Sequence, residues 1–184
     1  VRVARSRLLP VAGFGRPPAP GAIPQIIQAA IDPGIAAAAI AETIAFVRPR
    51  SRPWIDSGKE TAAEDPFIIS AIGDLTLRLH AAEALLERAG RAIDRALADP
   101  EESAVNAATV ATAEAKVLTT EVAINASNKL FELAGTRSTL AEHNLDRHWR
   151  NARVHTLHDP VRWKYYHLGN YQLNGIHVPR HAWS

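Results

Sequence analysis

Between Ile68 and Ala96 the apolar residues Ile68, Ile72, Leu75, Leu79, Ala82, Leu86, Ala89, Ile93 and Ala96 recur at alternating spacings of four and three. That spacing keeps one face of a long helix apolar over several heptads and demands a second helix against it. Asp74 with Arg78 and Glu87 with Arg91 sit four apart on the polar face as helix-supporting pairs. A second long stretch, Glu101 to Ala134, is apolar on nearly every side and carries few charges. A helix of that kind belongs in the middle of something. Asn125, Ser127 and Asn128 interrupt it and read as bonded polar residues in a packed interface. The fold class that follows is all-α, an antiparallel bundle of the four-helix type with short loops.

The punctuation repeats. Asp32-Pro33, Asp65-Pro66, Asp99-Pro100 and Asp159-Pro160 each place a capping carboxylate before a proline, the signal of a helix start. They imply a short helix over 24–31, a second over 34–47 ending near Arg48-Pro49, and a third from Pro66. A fourth begins at Pro100 with Glu101 and Glu102 in its first turn, and the last runs from Pro160 to about Leu173. Gly135 closes the apolar helix, and 140–154 is a further helix with Asp146 and Arg150 paired. Residues 1–20 hold four prolines and read as an extended strand and linker, so the expected division is 1–22 as tail and 23–184 as bundle.

Composition excludes several classes. The chain has no cysteine, which removes disulfides and thiolate metal sites. Its 21 basic and 19 acidic residues are interspersed apart from 48–52, so a nucleic-acid partner is not indicated. No apolar run is read as a membrane span and no signal peptide is visible, which gives the cytoplasm as the expected location. The absence of methionine, even at position 1, gives the expectation that the chain is cut from a longer one.

Chemistry concentrates between Gly135 and Gly175. Five of the eight histidines, His143, His148, His155, His158 and His167, lie there with all three tyrosines and two of the four tryptophans. His155 and His158, three apart and followed by Asp159, share a helix face or tight turn and suit proton delivery. The alternatives are a pair of structural histidines, or a metal site that adds His143 and His148. No standard zinc spacing is present, so no metal is assigned. Trp149, Trp163, Tyr165, Tyr166 and Tyr171 could floor an apolar pocket or serve as core and subunit contacts. The loop Arg48-Pro-Arg-Ser-Arg-Pro-Trp54 is a solvated basic turn or a phosphate clamp.

The run Glu142-His-Asn-Leu-Asp-Arg-His-Trp-Arg-Asn-Ala-Arg153 resembles the acyl-CoA dehydrogenase superfamily. The longer wording His148-Trp-Arg-Asn-Ala-Arg-Val-His-Thr-Leu-His-Asp-Pro-Val-Arg-Trp-Lys164 is similar to one branch, the flavin-dependent monooxygenases of the dibenzothiophene and sulfone-assimilation type. The resemblance implies the C-terminal helical domain of such an enzyme, preceded by a remnant of its middle β domain, and a homotetramer. It implies reduced FMN supplied by a flavin reductase, and a flavin hydroperoxide that oxygenates a small apolar organosulfur substrate. Position by position it makes His155 and His158 catalytic. Asp159 stands where dehydrogenases keep their glutamate base, and its carboxylate is expected to cap the last helix instead. Glu132, Gly135 and Arg137 match the region that approaches a neighbouring subunit's flavin tail. Arg48 matches a flavin-phosphate arginine, a job that Arg50 or Arg52 could take because the family's Phe-Gly is Ser51-Arg52 here. An FAD-dependent acyl-CoA dehydrogenase and a non-catalytic oligomerisation module are the alternative functions.

Overall fold

The computed structural model describes residues 21–181 and 183. Five α-helices form the frame: α1 (Ala22–Arg50), α2 (Pro66–Ala98), α3 (Glu102–Ala134), α4 (Asp146–Thr156) and α5 (Arg162–Asn174). Short 3-10 turns at Ile55–Ser57, Ala62–Glu64, Thr136–Thr139 and Ala141–His143 join them. No strand occurs among the described residues. The strand and linker expected over 1–22 lie outside the described residues, apart from the last two, where Ala22 already begins α1.

α3 is the centre. It packs against α1, α2, α4 and α5, and its small residues let the neighbours come close. One core cluster joins Ala36, Ala39, Ile40 and Phe46 of α1 to Leu75 and Leu79 of α2 and to Val122, Ala126 and Leu130 of α3. A second gathers Ala89, Ala92, Ile93 and Ala96 of α2 against Val105, Ala108, Ala111 and Ala115 of α3. The heptad seam of α2 therefore faces inward as its spacing requires, with Asp74–Arg78 paired at 2.8 Å on the outside.

Only one of the four Asp-Pro signals is a cap. Asp65 Oδ1 accepts from the Phe67 and Ile68 amides at 2.9 and 3.4 Å and starts α2. α1 instead runs unbroken through both Pro33 and Pro49, correcting the two-helix reading. A proline inside a helix costs a backbone hydrogen bond and a clash. Here packing of Ala29, Ala36 and Ala39 on α3 holds the helix on both sides of Pro33. The amide of Asp99 bonds to Arg95 O and ends α2, so the residue that precedes α3 is Glu101, which makes no side-chain cap. Asp159 does not cap α5 either, which begins after Val161. The helix expected over 140–154 starts later, at Asp146, after the 3-10 turn at Ala141–His143. Of the polar interruptions in α3, Ser127 is buried and bonds Ile124 O at 3.0 Å, whereas Asn128 is exposed.

α1 also corrects the membrane reading. By length and composition it is long and apolar enough to cross a bilayer, with a mean hydropathy of 1.5 over its best window. In the fold it lies on α3 and carries a fully buried carboxylate, the position of a core helix.

Candidate active site

Two groups of functional side chains emerge, at different levels of α3. The first lies around the end of α4. His155, in the last turn of that helix, sets Nδ1 2.6 Å from Asp32 Oδ1 of α1. Asp32 is 0 % exposed, and its Oδ2 accepts from Thr120 Oγ1 of α3 at 3.3 Å. Burial pushes the Asp32 carboxyl above its ordinary value, opposed by the hydrogen bond and charge of His155 and by Lys116. His155 Nε2 is buried and has no hydrogen-bond partner among the described residues.

Next to it stands a buried ion triad. Asp159 Oδ1 is 3.4 Å from Lys116 Nζ, and its Oδ2 is 3.8 Å from Lys164 Nζ. Both lysines are almost fully enclosed. Lys164 also donates to Trp183 O at 2.7 Å. Burial pulls the Lys164 ammonium below its ordinary value, with Asp159 opposing and Lys116 adding to the shift. A pocket of about 340 Å³ opens beside Asp159 and Lys164, walled by Trp163, His167 and Trp183. Burial and the nearby Lys164 hold His167 below the usual histidine range.

His158 follows in the turn after α4. Its amide bonds His155 O at 3.1 Å, and its exposed ring lies 6.1 Å from that of Trp183. His143 and His148, weighed as metal ligands beside the pair, turn elsewhere. His148 Nε2 is 3.1 Å from Glu42 Oε2, a carboxylate that also holds Arg147, and the His143 ring packs edge-on to Phe46. Of the aromatic set, Trp163 walls the pocket with its ring edge-on to Tyr166, while the Tyr165 hydroxyl donates to the Glu121 carboxylate. Trp149 is exposed on α4.

The second group is a cleft of about 910 Å³ where the ends of α1 and α3 meet the start of α2. It brings Arg50 and Arg52 together with Glu132, Gly135 and Arg137, residues eighty or more positions away in sequence. Gly135 takes φ +77° as α3 ends, a conformation that favours glycine, and turns the chain so that Arg137 faces the cleft. Glu132 is paired with Lys129 at 2.6 Å. Arg50 stacks over the Phe46 ring at 5.2 Å. Among the described residues neither Arg50, Arg52 nor Arg137 has a carboxylate at ion-pair distance. Arg48 is not part of this cleft; it lines a separate, mainly apolar pocket of about 230 Å³.

Residues 26–163 match the family described as acyl-CoA dehydrogenase, C-terminal domain. The chain belongs to this family. Over 146 residues it is 38% identical to the probable FMNH2-dependent monooxygenase SfnC of Pseudomonas putida, covering 77% of this chain and 36% of that protein. To a dibenzothiophene monooxygenase of Rhodococcus erythropolis it is 37% identical over 158 residues, 83% of this chain and 37% of the relative. Among solved structures it superposes on methanesulfinate monooxygenase MsuC of Pseudomonas fluorescens with a TM-score of 0.83 at 33% identity, covering 88% of this chain and 43% of that one. FMN-bound TdsC of Paenibacillus sp. A11-2 gives 0.84 at 31% identity, covering 89% and 42%. The chain thus spans well under half the length of the relatives it matches.

The sequence reading missed three members of the site: Asp32, Lys116 and Lys164. Lys116 was the legible one, as a cation in the middle of a helix that carries few charges.

Proposed function

We propose that the chain is the C-terminal part of a reduced-FMN-dependent monooxygenase that oxygenates a small apolar substrate of the organosulfur kind. The relatives support this by what they are said to use and oxidise. The observation that carries it against acyl-CoA dehydrogenation is Asp159. A base must present its carboxylate to the substrate. Asp159 borders the α5 pocket, but it is 8 % exposed and its carboxylate is engaged by the ammonium groups of Lys116 and Lys164.

The residues of the cleft fit a flavin phosphate. Three unpaired guanidinium groups converge there, and their planar forks suit phosphate oxygens. Arg50, Arg52 and Arg137 would hold it. When bound, a reduced flavin supplies the electrons that activate dioxygen. The protein's own part is acid–base. His155 and His158 bring to that chemistry imidazole rings, which can both donate and accept a proton. The aromatic rings of the α5 pocket keep water from the substrate. Lys116 and Asp159 fix the turn on which both histidines ride.

The cleft and the histidine turn lie about 22 Å apart along α3, from Thr120 to Gly135 at 1.5 Å per residue. That distance supports the reading that each chain serves its neighbour's flavin with one group and its own with the other, in a homotetramer. Exposed Phe67, Leu77, Val154 and Leu173 offer apolar surface for such contacts. A separate flavin reductase is the electron-supplying partner in this reading.

The test is the yield of oxygenated product against hydrogen peroxide per reduced FMN consumed, measured on the full protein. His158→Ala and His155→Ala should lower product formation by roughly a hundredfold to ten-thousandfold while flavin oxidation continues. If both variants keep the wild-type ratio, the histidines have no part in the chemistry. Bleaching of bound flavin by an acyl-CoA without oxygen would instead identify a dehydrogenase.

A further inference from the structure

Asp32 is misplaced by every local rule. It precedes a proline yet caps nothing, and it sits in mid-helix, where an alanine or a leucine would serve packing better. The inward positions on either side of it on α1, Ala29 and Ala36, are alanine and fully buried. Burying a carboxylate is costly unless it is paired and hydrogen-bonded. Asp32 meets both conditions through helices far away in sequence, by His155 of α4 and Thr120 of α3. Packing does not account for a carboxylate here, but its partner does.

A carboxylate only accepts hydrogen bonds. At 2.6 Å from His155 Nδ1, Asp32 therefore requires the proton to be on that nitrogen. The other ring nitrogen, Nε2, is then an acceptor when the ring is neutral and a donor when it is charged. Nε2 is buried and unpartnered among the described residues. One nitrogen locked by a buried carboxylate and the other left bare is how a third group orients a catalytic base. His158 has no such support. Its ring is exposed, and among the described residues its aromatic neighbour is Trp183, with ring centroids 6.1 Å apart.

We propose that Asp32 is a positioning residue that locks His155 as its Nδ1–H tautomer and so makes Nε2 the atom that exchanges the proton. Thr120 fixes the rotation of the carboxylate by donating to its second oxygen. Lys116 lies near enough to contribute positive charge to both Asp32 and Asp159, so one buried cation serves the two carboxylates that flank the turn. What Nε2 acts upon rests on the proposed function; the lock itself does not.

The two are separated by measuring the tautomer directly. In the full protein labelled with 15N-histidine, the His155 ring signals are assigned by their loss in His155→Gln. The wild type should carry the proton on Nδ1. Asp32→Ala removes the acceptor, and the ring should shift to the Nε2–H form that imidazole favours when unconstrained. Asp32→Asn keeps the shape should the alanine variant fail to fold. Its carboxamide both donates and accepts, so the lock is released and a second tautomer should appear. With saturating reduced FMN, either variant should also lower the product-to-peroxide ratio at least tenfold. A carboxylate that merely fills space would leave that ratio unmoved. A wild-type proton on Nε2 alone, or an Nδ1–H form that persists in both Asp32 variants, overturns the lock. A released tautomer with an unchanged ratio overturns the positioning role. If the wild-type protein itself makes no oxygenated product, the proposed function falls, while the tautomer measurement still decides Asp32.

Discussion

α2 and α5 are both single helices laid on α3, yet they are built from opposite rules. α2 turns Leu75, Leu79, Ala82, Ala89, Ile93 and Ala96 inward and keeps its ion pairs outside. α5 buries a lysine and leaves Trp163, Tyr166 and Leu173 at 53, 57 and 84 % exposure. The first is held by apolar burial inside the chain. The second is tethered by charge, through Lys164 to Asp159 and to Trp183 O, and leaves its apolar surface for something other than this chain's core. The difference shows that helical amphipathicity reports where a helix meets the apolar core. It does not report how a helix near a reaction centre is attached.

Breaking the charged side should cost most. Lys116→Met keeps the side-chain length but leaves Asp159 and Asp32 short of a buried cation. The loss should be about 3–5 kcal/mol in urea unfolding, and a loss below 1 kcal/mol would mean that the triad contributes little. On the apolar side, Leu75→Ala should cost about 2–5 kcal/mol. Leu173→Ala, also on a helix but exposed, should move unfolding by less than about 0.5 kcal/mol while weakening self-association in sedimentation. Equal losses for the two leucines would erase the distinction between the helices.

The regions should also differ in their response to pH. His155→Ala leaves Asp32 without its main partner and should cost about 1.5–3 kcal/mol at neutral pH. The sign follows from burial. The folded Asp32 carboxyl lies above its ordinary value of 3.8, and losing His155 raises it further. The folded variant therefore binds the proton more tightly than the unfolded chain, and stability falls as pH rises through the folded value. The deficit against wild type should shrink as pH drops towards 4, whereas the Leu75→Ala deficit should stay constant over the same range. The cap is a local effect that lies between those of the two leucines. Asp65→Ala should cost about 0.5–2 kcal/mol and fray the start of α2, visible as faster amide exchange at Phe67 and Ile68.

The four Asp-Pro pairs show what could be read in advance. Locally they are alike, and the all-α fold class is the one observed, although only Asp65 caps the start of a helix as its pair suggests. Asp65 behaves as its neighbours in sequence suggest, and among the described residues no cation lies at ion-pair distance from it. Asp32 and Asp159 do not, because Lys116 and His155 do, from residues as much as 123 positions away. A cap is written in a few consecutive residues, but an ion pair is decided by which helices come to lie side by side. The histidines were legible by their density and the arginine cleft by resemblance. Asp32 was hidden behind a stronger local signal that the tertiary fold overrides.

The cleft has one more consequence. Its floor is made by the C-terminal ends of α1 and α3, tied together by the Ser51 hydroxyl bonding Ala134 O at 3.0 Å. Such ends carry partial negative charge. Among the described α-helices, the N-terminus that reaches the cleft is that of α2, and it is already occupied by the carboxylate of Asp65. No α-helix N-terminus is therefore left open to an incoming anion among the described residues, unlike the usual phosphate cradle. The main attraction comes from long, solvated guanidinium arms, which mobile ions screen readily. Affinity for a phosphate-bearing ligand should consequently decline with added salt, so that ionic strength, more than pH, governs how full this cleft is.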